Sequence, residues 1–132
     1  MPNETSFLNT QTSDRSVAEV INRIETKLKD NNIKIFARIN HAEEARKVGL
    51  TMQDEEVIIF GNPNVGTHLM LENPYIGIEL PLKVLAWRAE KAKKTIIVCD
   101  NLEFLANSFE LKTSLEVIKK LKLFMADLIN IT

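Results

Sequence analysis

The sequence predicts an α+β domain: a largely antiparallel sheet of about five strands with helices packed on it. Three observations predict it. Long segments near both ends, 16–30 and 113–131, place apolar residues at the spacing of one helical face. The segments between them are short and either alternate or are continuously apolar, as strands do. The connection at residues 91–94 is too short for anything but antiparallel neighbours. The predicted order is strand, helix, four strands, helix, with short helices inserted, and residues 1–132 read as a single domain.

Residues 1–13 are polar apart from Phe7 and Leu8 and read as an edge strand or a loose tail. The first helix opens with Ser16-Val17-Ala18-Glu19, a capping box in which each side chain can satisfy a free backbone N–H. Val17, Val20, Ile21, Ile24 and Leu28 then fall on one face, and Asn31-Asn32 can stop the helix. Residues 33–39 read as a strand with Ile33, Ile35, Ala37 and Ile39 on one side and Lys34, Phe36 and Arg38 on the other. Asn40 and Glu43 cap a short helix that ends at Gly49.

Residues 57–60, Val-Ile-Ile-Phe, are apolar on both faces, so this strand expects cover on both sides, from helices or from a partner subunit. Asn62-Pro63 is an N-cap followed by proline at the first helical position; the helix runs through Leu71 although Gly66 weakens it. Pro74 and Pro81 bound an irregular segment. Strands follow at 82–88 and 95–100, joined by a lysine-rich turn. Lys83, Leu85 and Trp87 share one strand face, where Trp87 reads as core or as the wall of a cavity under the last helix. That helix is expected from Thr113, with Glu116 closing another capping box, and its apolar positions run to Ile131.

With 132 residues the chain can bury one core without disulfides or metals, and 45% apolar and 27% charged content is ordinary for a globular domain. A net charge of −1 argues against strong sequence-independent attraction to nucleic acid or to anionic membrane, and neither is an expected partner. Cys99 is the sole cysteine, the N-terminal residues lack the pattern of a secretion signal, and no apolar run reaches bilayer length. The expected location is the cytoplasm.

Three segments together resemble one family. They are Phe36-Ala37-Arg38-Ile39-Asn40-His41-Ala42, the run from Glu56 to Met70 through Gly61-Asn62-Pro63-Asn64-Val65-Gly66-Thr67-His68, and Leu80-Pro81-Leu82-Lys83-Val84-Leu85-Ala86-Trp87. They are similar to the domain of unknown function 302 family over residues 14–108, with the long last helix expected to extend past the common pattern. The resemblance implies a fold of the TATA-binding-protein class, a cytoplasmic and often dimeric protein, and no assigned activity. The family's usual aspartate before the histidine is Asn40 here, so a mechanism needing a carboxylate at that place lacks it.

The stretch Gly61 to His68 is the best candidate site. A helix start offers free N–H groups that favour an anion, and Asn62, Asn64, Thr67 and His68 add hydrogen-bonding side chains around Gly66. It lacks the Gly-Lys-Ser/Thr ending of a nucleotide-binding loop, and a strand-to-helix turn with no ligand is the plain alternative. His41, in the first turn of its helix, is a second candidate; it can take a proton or simply hydrogen-bond a neighbouring strand. With two histidines and one cysteine at unrelated spacings, no metal and no cofactor is expected. Cys99, beside Asp100, reads as a buried inert thiol. The residues thus support a homodimeric module for a small anionic or amphipathic ligand at residues 62–68, with His41 as an outlying contact. The alternatives are an enzyme transferring protons through His41 or His68, and a purely structural interaction domain.

Overall fold

The computed structural model describes residues 7–130 and 132, so the readings of residues 1–6 and of Ile131 lie outside it. Five strands, β1 (Leu8–Ser13), β2 (Lys34–Asn40), β3 (Glu55–Gly61), β4 (Leu82–Ala89) and β5 (Lys94–Asp100), form one sheet in the order β1-β5-β4-β3-β2. Every neighbouring pair is antiparallel. β1 and β2 therefore run the same way, as the crossover demands, but lie on opposite edges and never pair.

That crossover is α1 (Val17–Asp30). Half of its capping box forms: the Ser16 hydroxyl accepts from the Glu19 N–H, while the Glu19 carboxylate accepts from the Ser16 hydroxyl rather than from the Ser16 N–H. Its five predicted apolar residues are all buried in one core with Ile58 and Phe60 of β3, Val84 and Ala86 of β4 and Ile97 of β5. α5 (Leu115–Asn130) adds Ile118, Met125, Leu128 and Ile129 to the same core. The remaining helices are α2 (His41–Lys47), α3 (Pro63–Glu72) and α4 (Leu102–Ser108), with a 3₁₀ turn at Pro74–Ile78. α4, capped by Asn101, is not foreseen in the sequence reading; it contributes Leu102, Leu105 and Ala106 to the core.

The core occupies one face of the sheet. Ile58 and Phe60 of β3 belong to it, but Val57 and Ile59, on the opposite face, do not; nor do Leu85, Trp87, Ile96 and Val98 of the adjoining strands, all of which are half-buried. The expectation of cover on both faces of β3 thus holds for one face within a single chain. Trp87 lies on the face away from α5, not under it, because it alternates with the buried Ala86.

The largest correction concerns β2. Ile35 pairs with Phe60, but Ala37 pairs with Ile59, so Phe36 is an extra residue, a β-bulge. Past the bulge the faces exchange. Ala37 and Ile39 turn to the open face, and Arg38 joins the helix-covered face opposite Ile58. There its guanidinium donates to Glu56 (2.8 Å), Asn22 (2.7 Å) and Glu25 (3.4 Å). Glu56 is only 6% exposed. A carboxylate so placed needs its cation, since an unpaired buried charge is costly.

Arg38→Met is expected to lower unfolding free energy by about 2–4 kcal/mol, somewhat below the range for fully buried pairs because Arg38 keeps partial solvent contact. The double variant Arg38→Met/Glu56→Leu should recover most of that loss. Urea unfolding of the two variants checks the difference.

Candidate functional site

The turn from β3 into α3 is built as its residues dictate. Asn62 is the N-cap, its side chain accepting from the Asn64 N–H (3.0 Å), and Pro63 fills the position whose N–H would be free. The Asn62 carbonyl accepts from the Val65 N–H (2.9 Å) and the Gly66 N–H (3.0 Å). The first amides of α3 are therefore occupied within the chain. The electrostatic case for an anion at this helix start rested on those amides being free, and it loses its footing.

A cavity of about 230 Å³ does lie here. Its body is apolar: Phe36, Val65, Met70, Leu80, Leu82 and Leu121 form much of the wall. Asn62 and Thr67, both exposed, bring the polar side chains to its mouth. Gly66 forms part of the wall, and a Cβ there would meet nothing closer than Leu80 Cδ1 at 3.8 Å and Met70 Cε at 3.9 Å. Phe36 reaches the cavity because the bulge releases it from the strand's alternation; it is 47% exposed, with the Lys34 ammonium 4.9 Å from its ring centre.

A second cavity of about 420 Å³ shares Asn62, Val65, Leu82 and Leu121 with the first. Asn64 and His68 border this one, together with Lys120 and Phe124 of α5. The candidates from Asn62 to His68 are thus brought together but divided: Gly66 and Thr67 serve the apolar cavity, Asn64 and His68 its neighbour, and Asn62 both. His41 does not join them. It starts α2 where β2 ends, and β2 and β3 are antiparallel, so it sits at the opposite end of the sheet from Asn62. Neither imidazole makes a side-chain hydrogen bond among the described residues, and none of these residues form a group of three His, Cys, Asp or Glu able to hold a metal ion.

The sequence reading missed Phe36, Met70, Leu80 and Leu121. Only one signal pointed at them: a glycine inside a helix, where alanine would be favoured.

The far end of α3 is fixed by a contact of a different kind. Glu72 accepts hydrogen bonds from the backbone N–H groups of Lys112, Thr113 (2.9 Å) and Ser114 (2.8 Å). α5 therefore starts at Leu115, and a carboxylate from another helix caps it in place of the expected Thr113–Glu116 box. These amides hold the Glu72 carboxyl down at about 2. Because α3 and α5 both wall the cavities, this cap fixes the distance between their walls. Elsewhere, Cys99 is 5% exposed, and burial, then the Asp100 carboxylate, push its thiol up to about 11.

Comparison with known proteins adds the following. The family model described as "Domain of unknown function DUF302" matches residues 9–128, so nearly all of α5 lies inside the family pattern rather than beyond it. A crystal structure titled as an uncharacterized conserved protein DUF302 from Bacillus stearothermophilus superposes with a TM-score of 0.80 at 19% identity, covering 94% of this chain and 96% of that one. Two curated proteins named fluoride-specific ion channel FluC 1, from Brucella suis and Brucella abortus, are each 41% identical over 95 residues. That is 72% of this chain but only 37% and 35% of theirs, so the chain spans little more than a third of the relatives it matches.

Two outcomes are expected. The Glu72 contribution is present in full above its ordinary value of 4.5 and is lost as pH falls toward 2. Glu72→Gln should lower stability at neutral pH and flatten the pH dependence across that window, read by urea titration at successive pH values. Cys99 should resist a disulfide reagent at pH 8 in the folded protein and react fully once unfolded.

Proposed function

Since this chain belongs to the DUF302 family, whose description carries no activity, we propose a function from its own geometry: it is a small-molecule binding module, working as a homodimer, whose ligand puts an apolar body under α3 and a polar end at Asn62 and Thr67. The observation that carries this is the cavity itself, apolar within and polar at its mouth. Engineered apolar cavities of about 150 Å³ hold benzene, so by proportion this one suits roughly nine heavy atoms. At roughly 0.3–1.5 kcal/mol per atom, the range that bounds small ligands, nine atoms give about 3–13 kcal/mol, a dissociation constant between about 10 mM and the subnanomolar range. An amphipathic ligand fits this site better than a simple anion, for which no free amide is offered.

The comparisons support the word module. One similar structure is almost wholly this domain, whereas the proteins named as ion channels match in little more than a third of their length. Among the described residues here, no helix is long and apolar enough to cross a membrane. In our reading the domain serves such proteins as an accessory, ligand-sensing part. A single buried thiol, with no second cysteine to pair with, suits the reducing cytoplasm for this chain.

The test is a thermal-shift series with linear alcohols and alkanoates of rising length and with small aromatic alcohols. At a tenfold excess over the dissociation constant, binding adds about 1.4 kcal/mol, a rise of several degrees. Gly66→Leu, which projects a side chain into the cavity, should abolish the shift. Gly66→Ala should raise stability by about 0.5–1 kcal/mol, because the added methyl has room and helix propensity improves. Absence of a shift with every compound at saturating solubility would remove the reading.

A further inference from the structure

We infer that two copies of this chain associate open face to open face, about a two-fold axis running across the strands through Leu85. This names the surface for the homodimer just proposed and does not depend on the ligand site.

The first support is what the face contains. Val57, Ile59, Leu85, Trp87, Ile96 and Val98 cluster on three adjoining strands, joined at the β2 edge by Ala37 and Ile39 opposite Ile59 and Val57. None belongs to the core, which lies wholly on the other side. A contiguous apolar surface rimmed by polar groups marks an interaction site.

Size is the second support. Five strands spaced about 4.8 Å apart, each about seven residues long at about 3.3 Å per residue, give a face of about 24 Å by 23 Å. Two such faces together remove roughly 1,100 Å² from water, which clears the roughly 1,000 Å² that a specific interface requires. A pleated sheet face is also the shape that another sheet face fits, with strands aligned within about 30°.

Charge selects the occupant. Lys83 stands at one end of the face with the Asp100 and Glu79 carboxylates nearby, and Glu55, paired with Trp87, stands at the other with Lys94, which shares a face of β5 with Ile96, so each end carries both signs. A surface carrying both signs suits neither a polyanion nor an anionic bilayer. It does suit itself: a two-fold axis through Leu85 lays the Lys83 end of each copy over the Trp87–Glu55 end of the other. Lys83 donates to the Glu79 and Pro81 carbonyls (both 2.9 Å), and an ammonium has a third proton to give. Such an isologous contact closes on itself and forms no filament. The cavities at α3 sit at the Gly61–Asn62 end of β3 and are lined by none of the apolar patch residues, so covering the patch leaves them unfilled.

Light scattering coupled to size exclusion, from micromolar to submillimolar protein, tests this. The unmodified chain should approach twice its 15.0 kDa mass. Leu85→Glu should weaken association by roughly thirtyfold or more, as loss of a central anchor does. Should that variant fail to fold, the surface exchange decides: Lys83→Glu and Glu55→Lys should each weaken the dimer and their combination restore it. A 15.0 kDa species at every concentration overturns the inference and leaves the face to a different protein. A dimer that tolerates Leu85→Glu, or charge variants that show no mutual rescue, overturns it equally. Failure of ligand binding would not, because Gly66→Leu should dimerise normally while Leu85→Glu should bind ligand normally.

Discussion

The stripe that α1 lays across β2, β3 and β4 is the contact around which the other elements are arranged. Val17, Val20, Ile21, Ile24 and Leu28 are at most 2% exposed, and burying a side chain of this kind contributes roughly 1.5–3 kcal/mol. Net stabilities of domains are only about 5–15 kcal/mol, so no fold of this chain survives that leaves the stripe in water. To bury it, the chain must travel from one edge of the sheet to the other, which sends β1 and β2 to opposite edges. The three middle strands are then free to pair antiparallel through local connections. α5 fills the space beside α1, and the Glu72 carboxylate fixes where α5 begins.

A single residue, Phe36, separates the two surfaces of interest. Without the bulge, Arg38 would point to the open face and break its apolar continuity, and Glu56 would be buried without a cation. With it, Ala37 and Ile39 extend the open face, Arg38 neutralises Glu56 beneath α1, and Phe36 itself swings out to wall the cavity. One inserted residue thus sorts charge to the covered side and apolar surface to the uncovered side. Bulges elsewhere re-aim side chains in the same manner.

Much of this was legible in the residues. A period-3.6 pattern marks α1, and short apolar or alternating runs bounded by turn residues mark β3, β4 and β5, because in those elements local preference and burial agree. The caps at Ser16, Asn40 and Asn62 were legible because capping is local chemistry, decided within three residues. Three features resisted. The bulge changes register without a glycine or proline to announce it. The start of α5 is set by Glu72, some forty residues upstream, so no window on the sequence contains both partners. The cavity wall draws on Phe36, Val65, Leu80 and Leu121, which only tertiary structure brings together. The stretch Gly61 to His68 was found by its turn chemistry, yet the character of the site came from apolar neighbours that carry no motif. His41 was grouped with it by residue type alone, and sheet geometry sends it to the other end.

Gly66 bears on why a void exists at all. It sits inside a ten-residue helix, and its backbone adopts no conformation that only glycine reaches. Nothing would clash with a methyl group there. Glycine in a helix interior costs about 1 kcal/mol relative to alanine, so on grounds of folding alone this is the wrong residue. The neighbouring walls compound the cost, since an apolar void forfeits the dispersion contacts that packed side chains would make. Both losses fall on the same few ångströms of α3, where Leu69 and Leu82, buried in the core, also border the cavity. Stability given up locally, at a place where the lining is apolar and the rim polar, is the pattern that a binding site produces and a mere turn does not.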